Sequence, residues 1–304
     1  MKALAGFIVT SPLSAILVVV GSTLLGMLAP PLTSLLVYAG GGALALATLY
    51  AGSRAGLLVL AGSVLALSAV SLLAIRHYLP GLVMLLYWLP VWLSARVLRH
   101  SRSLAWATLS VCAVMALAVV LVFLVLGDPV AWWTEQLQAM VDTLVSKPEF
   151  GVDRDQLSAM LEQMPKLLTG LLAAGLVFAC LVSLLLGRWW QSLLVNPGGL
   201  REEFYEFRLA KVISLVGLVL VGLASAGLGW LSNLSLQLVL VLMVPFLLAG
   251  LAVVHAVLAR RKLHRGWLIA LYVLMTVLPQ VLFMVVVTGA LDPWLDFRRR
   301  AQQN

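Results

Sequence analysis

Charged residues are scarce in this 304-residue chain, because Asp, Glu, Lys and Arg together make up only 11% of it. A soluble domain carries about 25% charged residues, since charge covers the surface that faces water. Hydrophobic residues account for 62% of the chain, and the mean hydropathy is +1.07. We therefore expect lipid, rather than water, to surround most of the folded protein.

Cysteine is also nearly missing. Cys112 and Cys180 each lie within an apolar run, where a thiol behaves as a small hydrophobic group. Their spacing indicates neither a disulfide framework nor a metal site, so we expect no metal and no cofactor. The apolar stretch that follows Lys2 has no small-residue cleavage site before a soluble domain, so we expect no cleaved signal peptide.

The sequence lacks the motifs of several membrane enzymes and ATPases. It contains no HExxH, no Gly-x-Ser-x-Gly and no P-loop. No Asp, Glu or Lys lies well inside an apolar run, although carboxylates within a membrane are usually functional. We therefore predict that the chain is not an enzyme, does not hydrolyse ATP itself and is not a proton-coupled pump.

Long apolar runs are what the sequence has instead. About 20 apolar residues suffice for a helix to cross a bilayer, and nine such runs occur, at 5–28, 32–50, 55–75, 80–97, 104–126, 167–187, 210–230, 235–259 and 266–290. They predict one membrane domain over 1–304, an all-α polytopic transmembrane helix bundle. Pro12 and Pro279 interrupt the first and last runs, so the number of spans is eight or nine.

Basic residues predict the orientation, because Lys and Arg collect in cytoplasmic loops. With the N-terminus inside and nine spans, thirteen of the 20 Lys and Arg residues are cytoplasmic. Arg298, Arg299 and Arg300 are then outside, whereas eight spans would return them to the cytoplasm. We expect a multi-pass protein of the bacterial cytoplasmic (inner) membrane, in which the net charge of +8 serves orientation rather than nucleic-acid binding.

Two polar segments separate the spans. The segment 127–166 carries seven acidic and three basic residues, and its apolar residues recur with helical spacing. It predicts an amphipathic helical hairpin on the non-cytoplasmic side, either a lid or a plain connector. The cytoplasmic segment 188–211 contains the turn Asn196-Pro197-Gly198-Gly199, followed by a short amphipathic helix.

Kinked spans suggest a cavity. A proline inside a membrane helix frees a carbonyl group that protein, water or a ligand must satisfy. Three runs with internal prolines could line a ligand-binding cavity, and the candidate residues come from two of them, 80–97 and 266–290, namely Tyr87, Trp88, Trp92, Tyr272, Thr276 and Gln280. The alternative is ordinary helix packing, with Gln280 bonded to a neighbouring helix. The glycines at 40–42 predict close helix contacts.

Two stretches resemble motifs of the YybS-like family, which comprises uncharacterised multi-pass membrane proteins. One is Asn196-Pro197-Gly198-Gly199-Leu200-Arg201-Glu202-Glu203-Phe204 with Arg208 after it, and the other is Asp292-Pro293-Trp294-Leu295-Asp296-Phe297-Arg298. The second stretch lies in a tail, 291–304, that we expect to be interfacial. From the resemblance we expect a lipid-facing or protein-binding motif made of Asn196, Pro197, Gly198, Gly199, Arg201, Glu203, Phe204, Arg208, Asp292, Trp294, Asp296, Phe297 and Arg298.

The resemblance also carries an expectation about function. That family is distantly grouped with the substrate-binding subunits of energy-coupling-factor vitamin transporters. It implies a transporter-like subunit that binds a small molecule or lipid and works with separate partners. The alternative is a scaffold that organises envelope complexes without transport. In both cases we expect membrane lipids and other membrane proteins as partners.

Overall fold

The computed structural model of the chain describes residues 1–29, 32–146, 157–158, 161–264 and 266–303. Helix accounts for 88% of it, and no strand occurs in these described ranges. The predicted all-α class is therefore confirmed.

Fourteen helices are defined in the described part of the chain. In order they are α1 (Lys2–Ile8), α2 (Pro12–Leu28), α3 (Thr33–Ala51), α4 (Ser53–Ile75), α5 (Leu79–Ser101), α6 (Leu104–Leu126), α7 (Pro129–Val145), α8 (Pro165–Val195), α9 (Gly199–Glu206), α10 (Lys211–Ser225), α11 (Trp230–Arg260), α12 (Gly266–Val277), α13 (Pro279–Leu295) and α14 (Phe297–Gln303). Six of them are long and apolar enough to cross a membrane alone: α3, α4, α5, α6, α8 and α11.

The first and last predicted runs are bent helix pairs rather than continuous helices. Within 5–28 the axes of α1 and α2 differ by 119°, and within 266–290 those of α12 and α13 differ by 116°. Pro12 and Pro279 each begin the second helix of their pair, because proline cannot continue a helix but suits its first turn. A third pair, α9 and α10, is bent by 56°, so up to nine spans are present if each pair counts as one.

The boundary between the second and third predicted runs is sharp. Helix α3 ends at Ala51 and α4 begins at Ser53, with Gly52 alone between them. Gly52 has φ 109° and ψ 166°, a backbone conformation open only to glycine. A single residue can therefore reverse the chain between two membrane helices.

The helices form two compact units. Unit 1 comprises Met1–Ala113, Leu176–Leu209 and Pro245–Asn304, and unit 2 comprises Val114–Gly175 and Ala210–Val244. In unit 1, α3 is buried on all sides over ten consecutive residues, from Gly40 to Leu49. A helix buried all round lies at the centre of its bundle, and α3 packs against α2, α4 and α5.

Three consecutive glycines let neighbouring helices approach α3 closely. A Cβ added at Gly40 would lie 2.7 Å from Ser22 Oγ on α2, and one at Gly41 would lie 2.6 Å from Ser183 Oγ on α8. A Cβ at Gly42 would meet Leu186, also on α8, at 3.0 Å. The close contacts predicted from these small residues are confirmed.

Unit 2 contains a buried amide that joins two helices. Gln237 on α11 is 1% exposed. Its Nε2 donates to the Lys166 carbonyl at 2.7 Å, and its Oε1 accepts from the Gly170 N–H at 2.6 Å. These two backbone groups are one turn apart on α8, so the amide satisfies helix polar groups that lipid could not.

The first arm of the predicted 127–166 hairpin is a helix, α7. Asp128 caps it by accepting from the N–H groups of Val130 and Ala131 at 3.0 and 3.1 Å. Trp133 Nε1 donates to Thr169 Oγ1 on α8 at 2.9 Å. Residues 147–156 and 159–160, which hold most of the second arm, lie outside the described residues, so the hairpin stays a prediction.

The α3–α8 contact yields a stability prediction. A Cβ at Gly187 on α8 would lie 2.6 Å from Ala45 Cβ and 2.7 Å from the Gly42 carbonyl oxygen. We expect Gly187→Ala to cost about 1–3 kcal/mol by overpacking, measured as a lower Tm of the detergent-purified protein. The control is Gly175→Ala on the same helix, where a Cβ meets nothing within 4 Å. Equal Tm values for the two variants would contradict the close contact.

Candidate functional site

The turn before α9 depends on glycine. Gly198 has φ 95°, in the left-handed region, and the Gly199 N–H donates to the Asn196 carbonyl at 3.0 Å. A Cβ at Gly199 would lie 2.6 Å from Asn196 Nδ2. The predicted turn at 196–199 is thus present, and α9 starts directly after it.

An ion pair fastens α9 to α8. Arg188 Nε donates to Glu203 Oε2 at 3.0 Å, and Arg188 Nη2 donates to Glu203 Oε1. A two-pronged guanidinium–carboxylate pair is stronger and more directional than a neutral hydrogen bond. Arg188 therefore lies within α8, which continues to Val195, and it holds the α9 helix in place.

The C-terminal tail holds the other end of α9. Arg298 Nη1 donates to the Tyr205 carbonyl at 2.8 Å, and Nη2 donates to the Phe207 carbonyl at 2.6 Å. These carbonyls lie where α9 ends, so the guanidinium satisfies acceptors that the helix leaves unpaired. The Arg298 side chain is only 4% exposed.

Four charged residues form one cluster, which we call the ionic junction: Arg208, Asp292, Asp296 and Arg298. Arg208 lies 3.3 Å from Asp292 and 2.5 Å from Asp296, and Arg298 lies 3.4 Å from Asp292. Asp292 is 1% exposed, so its charge is compensated by two guanidinium groups rather than by water. The junction brings together two stretches that are more than 80 residues apart in sequence.

The junction corrects one expectation about the tail. Asp292 and Arg298 are buried, whereas the motif was predicted to face lipid or a partner. The physical reason is their mutual neutralisation, which lets both charges leave the surface. Trp294, Arg299 and Arg300 are exposed, as expected of an interfacial tail.

The pKa of Asp296 is lowered from its ordinary value of 3.8, chiefly by the hydrogen bond from Arg208. The Arg208–Asp296 pair therefore contributes its full stability at pH values above the ordinary Asp pKa. That contribution is lost only as the pH falls through the lowered value. Around neutral pH the pair stays charged.

The tail also returns to the end of α11. Arg260 Nη1 donates to the Arg298 carbonyl at 2.9 Å, although α12 and α13 lie between these residues in sequence. The chain that leaves α11 and forms α12 and α13 thus comes back to its starting point. Through Arg298 the tail also contacts Tyr205 and Phe207, so within unit 1 it lies beside both α9 and the end of α11.

An open cavity lies between α9 and the turn after α11; we call it the basic groove. Its volume is about 430 Å³. The polar side chains that line it are Arg201, Tyr205, His255, Lys262 and His264. Its apolar wall is formed by Leu258, Leu263 and Leu268, and no carboxylate is among the described residues that line it. Two cations without a carboxylate favour an anionic ligand.

Hydrogen bonds fix the orientation of the groove side chains. Arg201 Nε donates to the Tyr205 hydroxyl at 2.7 Å, and its guanidinium also stacks over that ring. His255 Nδ1 lies 2.9 Å from the Leu251 carbonyl oxygen, which can only accept a hydrogen bond, so Nδ1 carries the proton. A neutral His255 therefore presents Nε2 as the acceptor, 3.4 Å from the Tyr272 hydroxyl.

A second cavity of about 420 Å³ adjoins the basic groove. It shares Arg201, Tyr205 and His255 and adds the aromatic rings of Trp189 and Phe204. Phe204 packs edge-on against His255 with centroids 5.5 Å apart. A ligand could therefore place a charged group at the cations and an apolar part against the rings.

The six residues proposed from the kinked spans occupy different surroundings. Tyr87 and Trp88 are buried in helix packing, where the Tyr87 hydroxyl bonds to Ser183 and to the Val37 carbonyl. Trp92 Nε1 donates to the Ser53 carbonyl at 3.1 Å.

The remaining three residues belong to the last predicted run. Tyr272 contacts His255 of the basic groove. Thr276 donates to the Tyr272 carbonyl at 2.9 Å, and Gln280 is exposed. Of the six residues, Tyr272 contacts a residue that lines the basic groove, so the groove differs from the cavity expected from the sequence.

Sequence reasoning missed His255, Lys262 and His264 as groove residues. A signal was present, because positions 255, 258, 259 and 262 recur every three or four residues and so share one face of α11 and the turn after it. The run at 235–259 was interpreted only as a membrane span that ends near His255, so the shared face of these four positions was not considered.

These features define a polytopic helical membrane protein with an ion-paired helix–tail junction at one end of unit 1. The chain belongs to a family described as predicted membrane protein (DUF2232), whose model matches residues 13–293. No curated protein and no solved structure matches the chain. Of the ionic junction, the family match includes Arg208 and Asp292 and ends before Asp296 and Arg298.

The buried pair at the junction can be tested by removing one charge. Asp292→Asn leaves Arg298 without its buried counter-charge, so we expect a loss of about 3 kcal/mol in the free energy of unfolding. The measurement is thermal denaturation of the protein in detergent at neutral pH. The control, Arg299→Gln, changes an exposed neighbour. The double variant Asp292→Leu/Arg298→Met should be more stable than Asp292→Leu alone; additive losses would contradict direct pairing.

Proposed function

We propose that this membrane protein is a non-enzymatic, ligand-binding subunit of the bacterial cytoplasmic membrane that holds an anionic small molecule or lipid in the basic groove. It works with separate partners that supply energy, in the manner of the substrate-binding subunits with which YybS-like proteins are grouped. The observation that carries the proposal is the pairing of Arg201 and Lys262 in one cavity without a carboxylate.

The chemistry of the groove supports this role. The guanidinium of Arg201 and the ammonium of Lys262 attract an anion, and His255 and His264 add further hydrogen-bonding groups. Ligand pockets are typically about 300–1,000 Å³ in volume and mostly apolar with a few placed polar groups. The basic groove fits that description with its volume of about 430 Å³.

The fixed position of α9 also supports a binding role. Arg188 holds one side of the helix and Arg298 holds its end, so Arg201 and Tyr205 are presented on a braced wall. A binding site gains affinity when its side chains need little ordering on ligand capture. The junction supplies that preorganisation at a distance from the ligand.

The return of α12 and α13 supports an N-inside orientation with eight crossings. The tail arginines at 298–300 are then cytoplasmic, which gives sixteen of the 20 Lys and Arg residues on that side against four on the other. This asymmetry exceeds the thirteen against seven of a nine-span arrangement. The basic groove would then open towards the cytoplasm.

The ligand role predicts stabilisation by anions. Purified protein in a neutral detergent is titrated with pyrophosphate and with citrate while Tm is recorded. At ten or more times the Kd, at least one anion should raise Tm by about 2–4 °C. In Arg201→Gln/Lys262→Gln the shift should vanish, while the control Arg299→Gln should retain it. If neither anion shifts Tm in the unmodified protein, or the double variant shifts equally, the proposal fails.

A scaffold role is the second candidate, and the exposed side chains of the tail favour it. Trp294 is 45% exposed, the side chains of Arg299 and Arg300 are also exposed, and none of the three takes part in the ion pairs of the ionic junction. An aromatic and two guanidinium groups suit the centre of a protein interface.

The scaffold is tested without disturbing the junction. Trp294→Ala/Arg299→Ala/Arg300→Ala should abolish co-purification of a membrane partner after cross-linking, with Tm unchanged. The matched control is Trp267→Ala, which removes another exposed tryptophan. Identical partners in the triple variant and the parent protein would rule the scaffold out.

A further inference from the structure

A second basic cavity lies on the hairpin of α4 and α5, apart from the basic groove. Its volume is about 710 Å³. The side chains that line it include Arg54, Trp92, Arg96 and His100, together with Ser53 and Ser101. Leu57, Leu93 and Val97 complete the wall, so we call it the hairpin cavity.

The cations of the hairpin cavity have no carboxylate near them in sequence. The first 127 residues contain six Lys and Arg residues and no Asp or Glu, the first acidic residue being Asp128. In unit 1 the carboxylates of Glu203, Asp292 and Asp296 are committed to Arg188, Arg208 and Arg298. Within the described residues, Arg54 and Arg96 are exposed and form no ion pair, so both guanidinium groups are available to an anion from outside the chain.

Aromatic contacts hold the cavity open. Trp92 Nε1 donates to the Ser53 carbonyl at 3.1 Å, which fixes the indole across the start of α4. The Arg96 guanidinium lies 5.6 Å from the Trp92 ring centroid and is thereby held at the rim. Neither contact consumes the hydrogen-bonding capacity of the guanidinium, whose five N–H groups suit phosphate.

The position of the cavity along the helices identifies the source of the anion. Arg54 is in the first turn of α4, and Arg96 and His100 are in the last turns of α5, so all three lie at one end of two membrane-length helices. That end is at the depth of lipid headgroups. Farther along the same helices the exposed residues are apolar, such as Leu58, Leu65, Leu86 and Leu89. Acyl chains cover such a surface.

We propose that the hairpin cavity binds the phosphate of an anionic phospholipid, with Arg54 and Arg96 on the phosphate and the acyl chains along α4 and α5. The lipid phosphate supplies the counter-charge that residues 1–127 lack. This site is independent of the basic groove, because the two cavities share no residue.

The test is native mass spectrometry of the full chain in neutral detergent, titrated with phosphatidylglycerol or phosphatidylcholine. We expect one tightly retained phosphatidylglycerol and at least about tenfold weaker retention of phosphatidylcholine. Arg54→Gln/Arg96→Gln should weaken phosphatidylglycerol retention by about tenfold or more. The matched control is Arg102→Gln, which removes an exposed cation at the end of α5 that does not line the cavity.

A cavity-filling variant and a soluble competitor test the same site in two other ways. If the double variant does not fold, Leu57→Trp fills the cavity with both cations retained and should weaken retention to a similar extent. Glycerol 1-phosphate, which carries the phosphate without acyl chains, should not compete at millimolar concentration. Equal retention of both lipids, full retention by the double variant or by Leu57→Trp, or effective competition by glycerol 1-phosphate would each overturn a lipid site.

Discussion

The buried pair of Asp292 and Arg298 is the interaction on which the position of α9 against the C-terminal tail depends. Neither charge would be stable alone in a site that is 1–4% exposed. Together they let the tail reach the carbonyls at the end of α9, and they draw Arg208 into the same cluster. The α9 helix is short and polar, and its position comes from these ion pairs rather than from apolar burial.

The basic groove and the hairpin cavity follow the same physical plan. In each, cations at the ends of membrane helices border aromatic rings and an apolar wall, and no carboxylate lines the described surface. Charged residues make up only 11% of the chain, so the position of each charge stands out. Three carboxylates of unit 1, those of Glu203, Asp292 and Asp296, form ion pairs with Arg188, Arg208 and Arg298 that fix the position of α9 and the tail.

Sequence patterns predicted the local structure well and the long-range contacts poorly. Pro12, Pro279 and Gly52 act on their own backbone, so the breaks that they cause could be read directly from the chain. The glycines at 40–42 predicted close packing because they have no side chain to keep a neighbouring helix away. By contrast, the burial of Arg298 depends on Asp292 and on carbonyls some 90 residues away, and a charged residue read alone is expected at the surface. The cavity suggested by Tyr87 and Gln280 stays a prediction, because spacing within one helix does not show which helices are its neighbours.

The central position of α3 has a consequence for biosynthesis. Its partners α2, α4 and α5 emerge from the ribosome close to it in time, but the part of α8 that contacts Gly41 and Gly42, at Ser183 and Leu186, is made about 140 residues later. During that interval the glycine face of α3 borders lipid or the insertion machinery. A face of small apolar residues exposes no side-chain polar group to hydrocarbon. The nascent helix is therefore compatible with lipid before α8 packs against it and completes the bundle.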